Sequence, residues 1–220
     1  MKTRRTRPHP EAAVARPLRR SALGLLVALA AGSAAPVWAN GFGLTELMAL
    51  LAQRKSGEAR FTEERTSASV EGPLRASGRL TFSAPDRFAR FTEEPRAESM
   101  EVQGNTVLLK RGNRSRQMNL DAVPELAALA DAMRGTLNGD AQALQKSFKA
   151  DVAGSAGKWV LTLKPSDARL AQQVRELQIT GTGADVRSVD LQLRDGDRSL
   201  MLVQPLAANT TTGSPATPAK

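Results

Sequence analysis

The sequence predicts a mainly β protein of the α+β class: one curved antiparallel sheet of about eleven strands with about three α-helices on its concave side. Residues 74–82 alternate apolar and polar side chains without a break, which predicts a long strand with one apolar face. Similar segments recur on both sides of a helical region. Short loops between them and the absence of a βαβ repeat indicate antiparallel pairing.

The first 39 residues predict a cleaved secretory signal peptide. A basic segment precedes an apolar run over residues 22–35, and Val37-Trp38-Ala39 resembles a small-residue cleavage site. The apolar run is short for a bilayer span, so an uncleaved anchor is the lesser alternative. Arg19-Arg20 weakly indicates twin-arginine export, but the residues after it match that signal poorly. The general secretion route is therefore expected.

Removal of the signal changes the charge balance of the chain. It takes 7 of the 31 basic residues and 1 of the 22 acidic ones, which leaves a net charge of +3 from Asn40 onward. Nucleic-acid binding is therefore not expected. The chain has no cysteine, which excludes disulfides and a lipobox and fits a protein of the bacterial periplasm.

The remaining chain is long enough for one domain with a sizeable core, which we place at residues 40–206. Residues 207–220 are rich in Thr, Pro, Ala, Gly and Ser and show no periodicity. We predict that this tail is disordered.

The first half of the domain begins with a helix whose apolar face contains Leu44, Leu47, Met48 and Leu51, and which we expect to end near Gly57. The strands predicted after it are residues 59–69, 74–82, 88–93, 99–103 and 106–110. The basic stretch 110–116 is predicted to be a solvated hairpin tip. Contact with anionic lipid headgroups or an acidic partner is the alternative.

The second half begins with two helices. Asp121 can cap a helix over residues 122–133, with Gly135 near its end, and Asp140 can cap a shorter helix that ends near Ser147. The strands predicted after them are residues 148–152, 159–164, 176–180, 186–194 and 199–204.

The side chains available for chemistry do not support an enzyme. The only histidine, His9, lies in the signal, and the chain has no Cys or Tyr. This excludes Cys–His and Ser–His–Asp arrangements and histidine-ligated zinc in the mature protein. We expect no catalytic residue, metal or cofactor. The pairs Glu63/Glu64 and Glu93/Glu94 are predicted to be solvated surface, and Asp195-Gly196-Asp197 a turn.

The apolar faces of the strands are expected to form ordinary core, residue by residue. Taken together, they also permit a cavity, because aromatic residues make up only 4% of the chain and most apolar positions are aliphatic. Flexible aliphatic side chains, Met in particular, suit acyl chains.

Several segments, in this order and spacing, resemble the LolA family, the periplasmic carriers of outer-membrane lipoproteins. No one of them is highly specific, and the resemblance covers most of the mature chain. The segments are Leu47-x-x-x-Leu51 with Phe61-Thr62-Glu63, Gly78-x-Leu80-x-Phe82-x-x-Pro85-x-x-Phe88, Gln103-Gly104-Asn105-Thr106-Val107, Leu161-Thr162-Leu163-Lys164-Pro165 and Leu177-Gln178-Ile179.

The resemblance implies an unclosed antiparallel β-barrel with a helical lid, and acyl-chain binding between them. It also implies a Gram-negative periplasm, a monomer, an acylated lipoprotein or other lipid as cargo, and an inner-membrane exporter and an outer-membrane receptor as partners. The lid would comprise the first helix and residues 121–133. The candidate cavity and lid residues are Leu47, Leu51, Phe61, Leu80, Phe82, Phe88, Met100, Leu126 and Leu129.

The chain departs from the family pattern in two places. The family tends to end with a Phe-x-Phe-x-Pro-Pro-x-Gly-like segment, of which only Leu202-Val203-Gln204-Pro205 remains here. The other departure lies in the turn before Pro85. The family commonly has an Arg directly before the proline, where it helps to hold the lid closed; here the residue is Ala84, and Arg87 or Arg90 is the candidate substitute. Arg90 itself stands where an aromatic residue is usual. Two alternatives to a lipoprotein carrier follow: a carrier of another lipid or glycolipid working with an inner-membrane exporter, and a periplasmic lipid or lipoprotein sensor domain.

Overall fold

An 11-stranded antiparallel sheet dominates this computed structural model, which describes residues 41–122 and 124–206. The first six strands are β1 (Ser56–Thr66), β2 (Leu74–Ser83), β3 (Arg87–Glu94), β4 (Glu98–Gln103), β5 (Thr106–Arg111) and β6 (Arg114–Asn119). The last five are β7 (Phe148–Ser155), β8 (Lys158–Pro165), β9 (Val174–Thr182), β10 (Asp185–Leu193) and β11 (Arg198–Pro205).

In these two ranges, four α-helices accompany the sheet: α1 (Leu44–Leu51), α2 (Pro124–Asn138), α3 (Ala141–Ser147) and α4 (Ala168–Gln173). A 3-10 turn, Leu120–Ala122, precedes α2. Over the ranges that the structure describes, none of the helices has the length and apolar character needed to cross a membrane.

The strand order is β6-β5-β4-β3-β2-β1-β11-β10-β9-β8-β7. Two antiparallel meanders are therefore joined in the middle, where β1 pairs with β11, and β6 and β7 form the two edges. The chain passes from one edge to the other through α2 and α3, so these helices cross one face of the sheet. The predicted fold class, an unclosed antiparallel barrel with a helical lid, is confirmed.

Several local predictions were also correct. The apolar face of residues 74–82 pairs in register with its neighbours, with Leu80 opposite Ala59 and Phe82 opposite Phe88. The turn at Gly104 connects β4 and β5, and Gly104 has a positive φ of 53°. Asp140 caps α3 and accepts a hydrogen bond from the backbone N–H of Ala143 at 3.0 Å.

Other boundaries were wrong. The first helix ends at Leu51 rather than near Gly57, because Gly57 pairs with Phe82 as part of β1. The helix predicted over residues 122–133 continues to Asn138. Gly135 lies inside it, where a Cβ would meet Cγ of Leu144 at 2.7 Å, so this glycine permits close packing of α2 and α3.

Two elements were not predicted. Strand β6 contains Arg114, Ser115 and Arg116, and its polar composition conceals its pairing with β5. The stretch 110–116 is the exposed tip of this hairpin, as expected, although most of it is strand. Helix α4 is short, and its sequence signal is the N-cap Asp167, whose carboxylate accepts hydrogen bonds from two backbone N–H groups.

The core consists of two separate clusters. The larger one packs α1, α3 and α4 against β7–β9, with Trp159, Leu161 and Leu163 fully buried. The smaller one lies at the other end of the sheet, where Phe88, Val102 and Val107 contact Leu120 and Ala130. The central strands β2, β1 and β11 lie between the two clusters.

The predicted signal peptide and the predicted tail lie outside the described residues, so both stay predictions.

Candidate functional site

An apolar cavity of about 310 Å³ lies between the two core clusters. Its walls include Leu51, Leu177 and Ile179 from the larger cluster and Phe88 from the smaller one. Because the helices pack tightly at the two ends of the sheet, the cavity forms over its central strands. Its volume lies at the lower end of the range for small-molecule sites.

The central strands and α2 complete the lining. Leu80 and Phe82 of β2, like Met100 of β4, are only half-buried, although each points to the helical side of the sheet. Met133, Thr136 and Leu137 of α2 form the opposite wall, and Met133 is 40% exposed. The half-buried state of these side chains shows that the protein itself does not fill the space between them.

Only some of the candidate residues predicted from the sequence line the cavity. Leu51, Leu80, Phe82, Phe88 and Met100 line the cavity. The others lie elsewhere in the fold: Leu47 is fully buried in the larger core cluster, Phe61 is buried in β1, Leu129 is half-buried against the larger cluster, and the side chain of Leu126 lies outside the described part of the chain.

Charged side chains line the cavity at a few points only. Arg54 and Asp185 form a salt bridge with each other, and Glu58 pairs with the exposed Arg79 at 3.4 Å. Arg90 is different, since its side chain is only 16% exposed and its partner, Glu63, lies deeper in the protein.

Glu63 is buried on the concave face of the sheet, which corrects the prediction that it is solvated. It accepts hydrogen bonds from Arg90 at 2.5 Å, Arg65 at 2.9 Å and Ser199 at 2.6 Å. Burial by itself raises the pKa of a carboxyl group. Here the three hydrogen bonds and the charge of Arg90 outweigh it and lower the pKa of Glu63 from its usual 4.5 to about 2.

The Arg90 guanidinium is held at two further points. Its Nε donates to Thr92 Oγ1 at 3.2 Å, and its Cζ lies 4.5 Å from the centroid of the Phe61 ring, a cation–π geometry. No sequence pattern indicated this cluster, because Glu63 and Arg90 lie on different strands and are 27 residues apart.

Helix α2 is fastened to the sheet by its own side chains. Arg134 donates a hydrogen bond to the backbone carbonyl of Gly104, and Asn138 donates one to that of Pro85. The expected substitutes for the family Arg do not have this role among the described hydrogen bonds, because Arg87 bonds Gln103 and Arg90 bonds Glu63 and Thr92, all within the sheet.

Metal binding has no visible basis in residues 41–122 and 124–206, where no three side chains of the types His, Cys, Asp and Glu are grouped closely enough to ligate an ion.

Comparison with known proteins gives one family. Residues 33–219 match the family described as outer membrane lipoprotein carrier protein LolA-like. No curated protein sequence matches the chain.

Three solved structures to which this chain shows similarity come from different organisms. A LolA superfamily protein from Nitrosomonas europaea is 9% identical, with 73% of this chain and 90% of that chain covered and a TM-score of 0.39. A DUF1329 family protein from Desulfovibrio piger is 7% identical, with 73% and 88% covered and a TM-score of 0.41. The MucA/MucB complex of Pseudomonas aeruginosa is 13% identical, with 76% and 59% covered and a TM-score of 0.43.

Proposed function

Because this chain belongs to the family of LolA-like outer membrane lipoprotein carrier proteins, we propose that it is a periplasmic carrier of acyl chains. It would bind the acyl chains of lipoproteins or related lipids and ferry them from the inner to the outer membrane. The observation that supports this role is the apolar cavity between the two core clusters, with α2 as its lid.

The cavity suits a flexible aliphatic ligand. Apart from Thr136 and four charged side chains, its lining is made of apolar residues, glycine and proline. Burial of one CH₂ group is worth about 0.8 kcal/mol, so a long acyl chain represents on the order of 10 kcal/mol. The lining residues Met100, Met133 and Met201 can adapt to chains of different shape, and such a loose fit would help release.

The protein would act in the periplasm, between two membrane partners. Residues 1–39 would direct export and be removed, residues 40–206 would form the carrier domain, and residues 207–220 would remain a disordered tail. An inner-membrane exporter would supply the cargo and an outer-membrane receptor would accept it. The role requires no catalysis and no cofactor.

The bound cargo can be identified directly. Native mass spectrometry of the protein purified from periplasm is expected to show a protein–lipid complex. A triacylated lipoprotein would support lipoprotein transport, and a free glycolipid would support the carrier role with a different cargo. Recovery of empty protein only, also after mild extraction, would contradict the proposal.

A pair of variants tests the cavity itself. Phe82→Glu places a charge in the half-buried lining and is expected to abolish acyl-chain binding while leaving export intact. Leu202→Glu is the matched control, because Leu202 is 54% exposed and the neighbouring Val203 lines the cavity. Leu51→Glu is a less specific variant, since Leu51 packs in the larger core cluster. Lipid recovery at the level of the unaltered protein by Phe82→Glu would exclude this cavity as the site.

A further inference from the structure

We infer that the cavity recognises the carboxylate of a single-chain lipid, with Arg90 and Thr136 as the two polar contacts. The inference rests on the proposed acyl-chain binding and specifies the chemical class of the ligand. It starts from the observation that two polar residues line the mainly apolar cavity from opposite walls, the largely buried Arg90 from β3 and the buried Thr136 from α2. The other charged lining residues, Arg54, Glu58 and Asp185, are paired in more exposed salt bridges.

Thr136 is buried in the wall with its hydroxyl unsatisfied. The residue is 2% exposed, and among the described residues its Oγ1 has no hydrogen-bond partner. An unpaired buried hydroxyl is costly, and native proteins usually satisfy such groups. Because this Oγ1 has almost no accessible surface, a ligand oxygen in the cavity would supply the missing partner after rotation about χ1, for which threonine in a helix has two favoured rotamers.

Arg90 supplies hydrogen-bond donors and belongs to a cluster with excess positive charge. Of its five N–H groups, the described hydrogen bonds use one on Nε and one on Nη2, so the Nη1 pair has no described acceptor. Glu63 accepts from both Arg90 and Arg65, and this cluster of one carboxylate and two guanidiniums therefore carries one excess positive charge. A carboxylate would balance this charge, and the apolar lining would strengthen the attraction.

The cavity size favours one chain. A volume of about 310 Å³ is small for several acyl chains at once, so a diacyl or triacyl cargo would place one chain in it. In the proposed complex, the hydrocarbon chain would lie along Leu80 and Phe82, and the carboxylate would lie between the Arg90 guanidinium and the Thr136 hydroxyl.

The direct test compares palmitate, methyl palmitate and hexadecanol as competitors of a neutral fluorescent apolar probe bound to the unaltered full-length mature protein. Palmitate is expected to bind roughly tenfold or more tightly than the other two. If all three bind equally, the inference is wrong while the proposed acyl binding survives. If none binds, both fail.

Substitutions test which side chains recognise the carboxylate. Glu63→Gln with Arg90→Met removes the buried pair together and leaves only the exposed Arg65 without its partner. Because the Arg90 donors are then missing from the cavity, the double variant is expected to erase the preference for palmitate but keep hexadecanol binding. Arg111→Met is the control, since Arg111 also pairs with a glutamate on the sheet, but both side chains of that pair are exposed and neither lines the cavity. Thr136→Val conserves shape and is expected to weaken palmitate binding several-fold. Retention of full palmitate preference by both cavity variants would overturn the assignment.

Discussion

The side-chain amide of Asn138, the last residue of α2, donates a hydrogen bond to the backbone carbonyl of Pro85 in the β2–β3 turn. Arg134, one helical turn earlier, donates in the same way to Gly104 in the β4–β5 turn. These two turns lie at the same end of the sheet, because Arg87 and Gln103 beside them are paired. The lid helix is therefore attached to the sheet through its own side chains, next to the position where this chain has Ala84.

Removal of both attachments is expected to loosen the lid. Hydrogen bonds to backbone carbonyls contribute about 0.5–1.5 kcal/mol each, and more when the donor is charged. In the double variant Arg134→Met and Asn138→Ala, the amides of residues 127–138 should exchange with solvent faster, and those of β8 should not change. Arg87→Met is the control, because its partner Gln103 belongs to the sheet. Unchanged exchange in α2 would show that packing alone holds the lid.

Glu63 is expected to make the free energy of unfolding depend on pH in acidic solution. Its pKa is lowered to about 2 in the folded protein, so its contribution is present above pH 4.5 and is lost as the pH falls through the interval from 4.5 to 2. A shift of this size corresponds to on the order of 3 kcal/mol. Urea unfolding at several pH values in this interval is the measurement. As the pH falls, the free energy of unfolding should decrease more steeply for the unaltered protein than for Glu63→Gln.

The control for this experiment is Glu64→Gln. Glu64 is the exposed neighbour of Glu63 and pairs with Arg75 on the surface at 3.2 Å. Since exposed ion pairs contribute little, this variant should keep the acid dependence of the unaltered protein. If Glu63→Gln keeps it too, Glu63 is not the group responsible.

Gly181 is expected to tolerate no side chain. A Cβ at this position would overlap the ring of Trp159 and the carbonyl oxygen of Asp185. Trp159 is fully buried, and its Nε1 donates to Gly183 at 2.9 Å, so the ring cannot move without breaking a hydrogen bond. Gly181→Ala should therefore lower the free energy of unfolding by about 1–3 kcal/mol, as overpacking generally does.

Gly157→Ala is the matched control for this substitution. The nearest atom to its added Cβ is Ser155 Oγ at 3.9 Å, an ordinary contact, and its φ is not in the left-handed region. Denaturant unfolding of both variants is the measurement. Equal stability of Gly181→Ala and Gly157→Ala would mean that the Trp159 ring adjusts at no cost.

Prediction from the sequence was most accurate where a local pattern is sufficient. The alternation over residues 74–82 and the glycine turn after Gln103 depend only on neighbouring residues. It was least accurate where pairing with a neighbouring strand, and not the segment's own sequence, determines the secondary structure. Strand β6 is a strand because β5 lies beside it, and its own residues, charged or polar in most positions, carry no apolar alternation.

Local sequence patterns were enough to predict the class of fold, because alternation and turn residues act over a few positions and the strands they define pair with their neighbours. The position of the cavity and the charge that faces it depend instead on contacts between residues that are distant in the sequence. Glu63 has an ordinary surface-like sequence context, yet strand register buries it. The pairing of β2 with β3 places Arg90 opposite Leu80, where its guanidinium both contacts Glu63 and lines the apolar cavity.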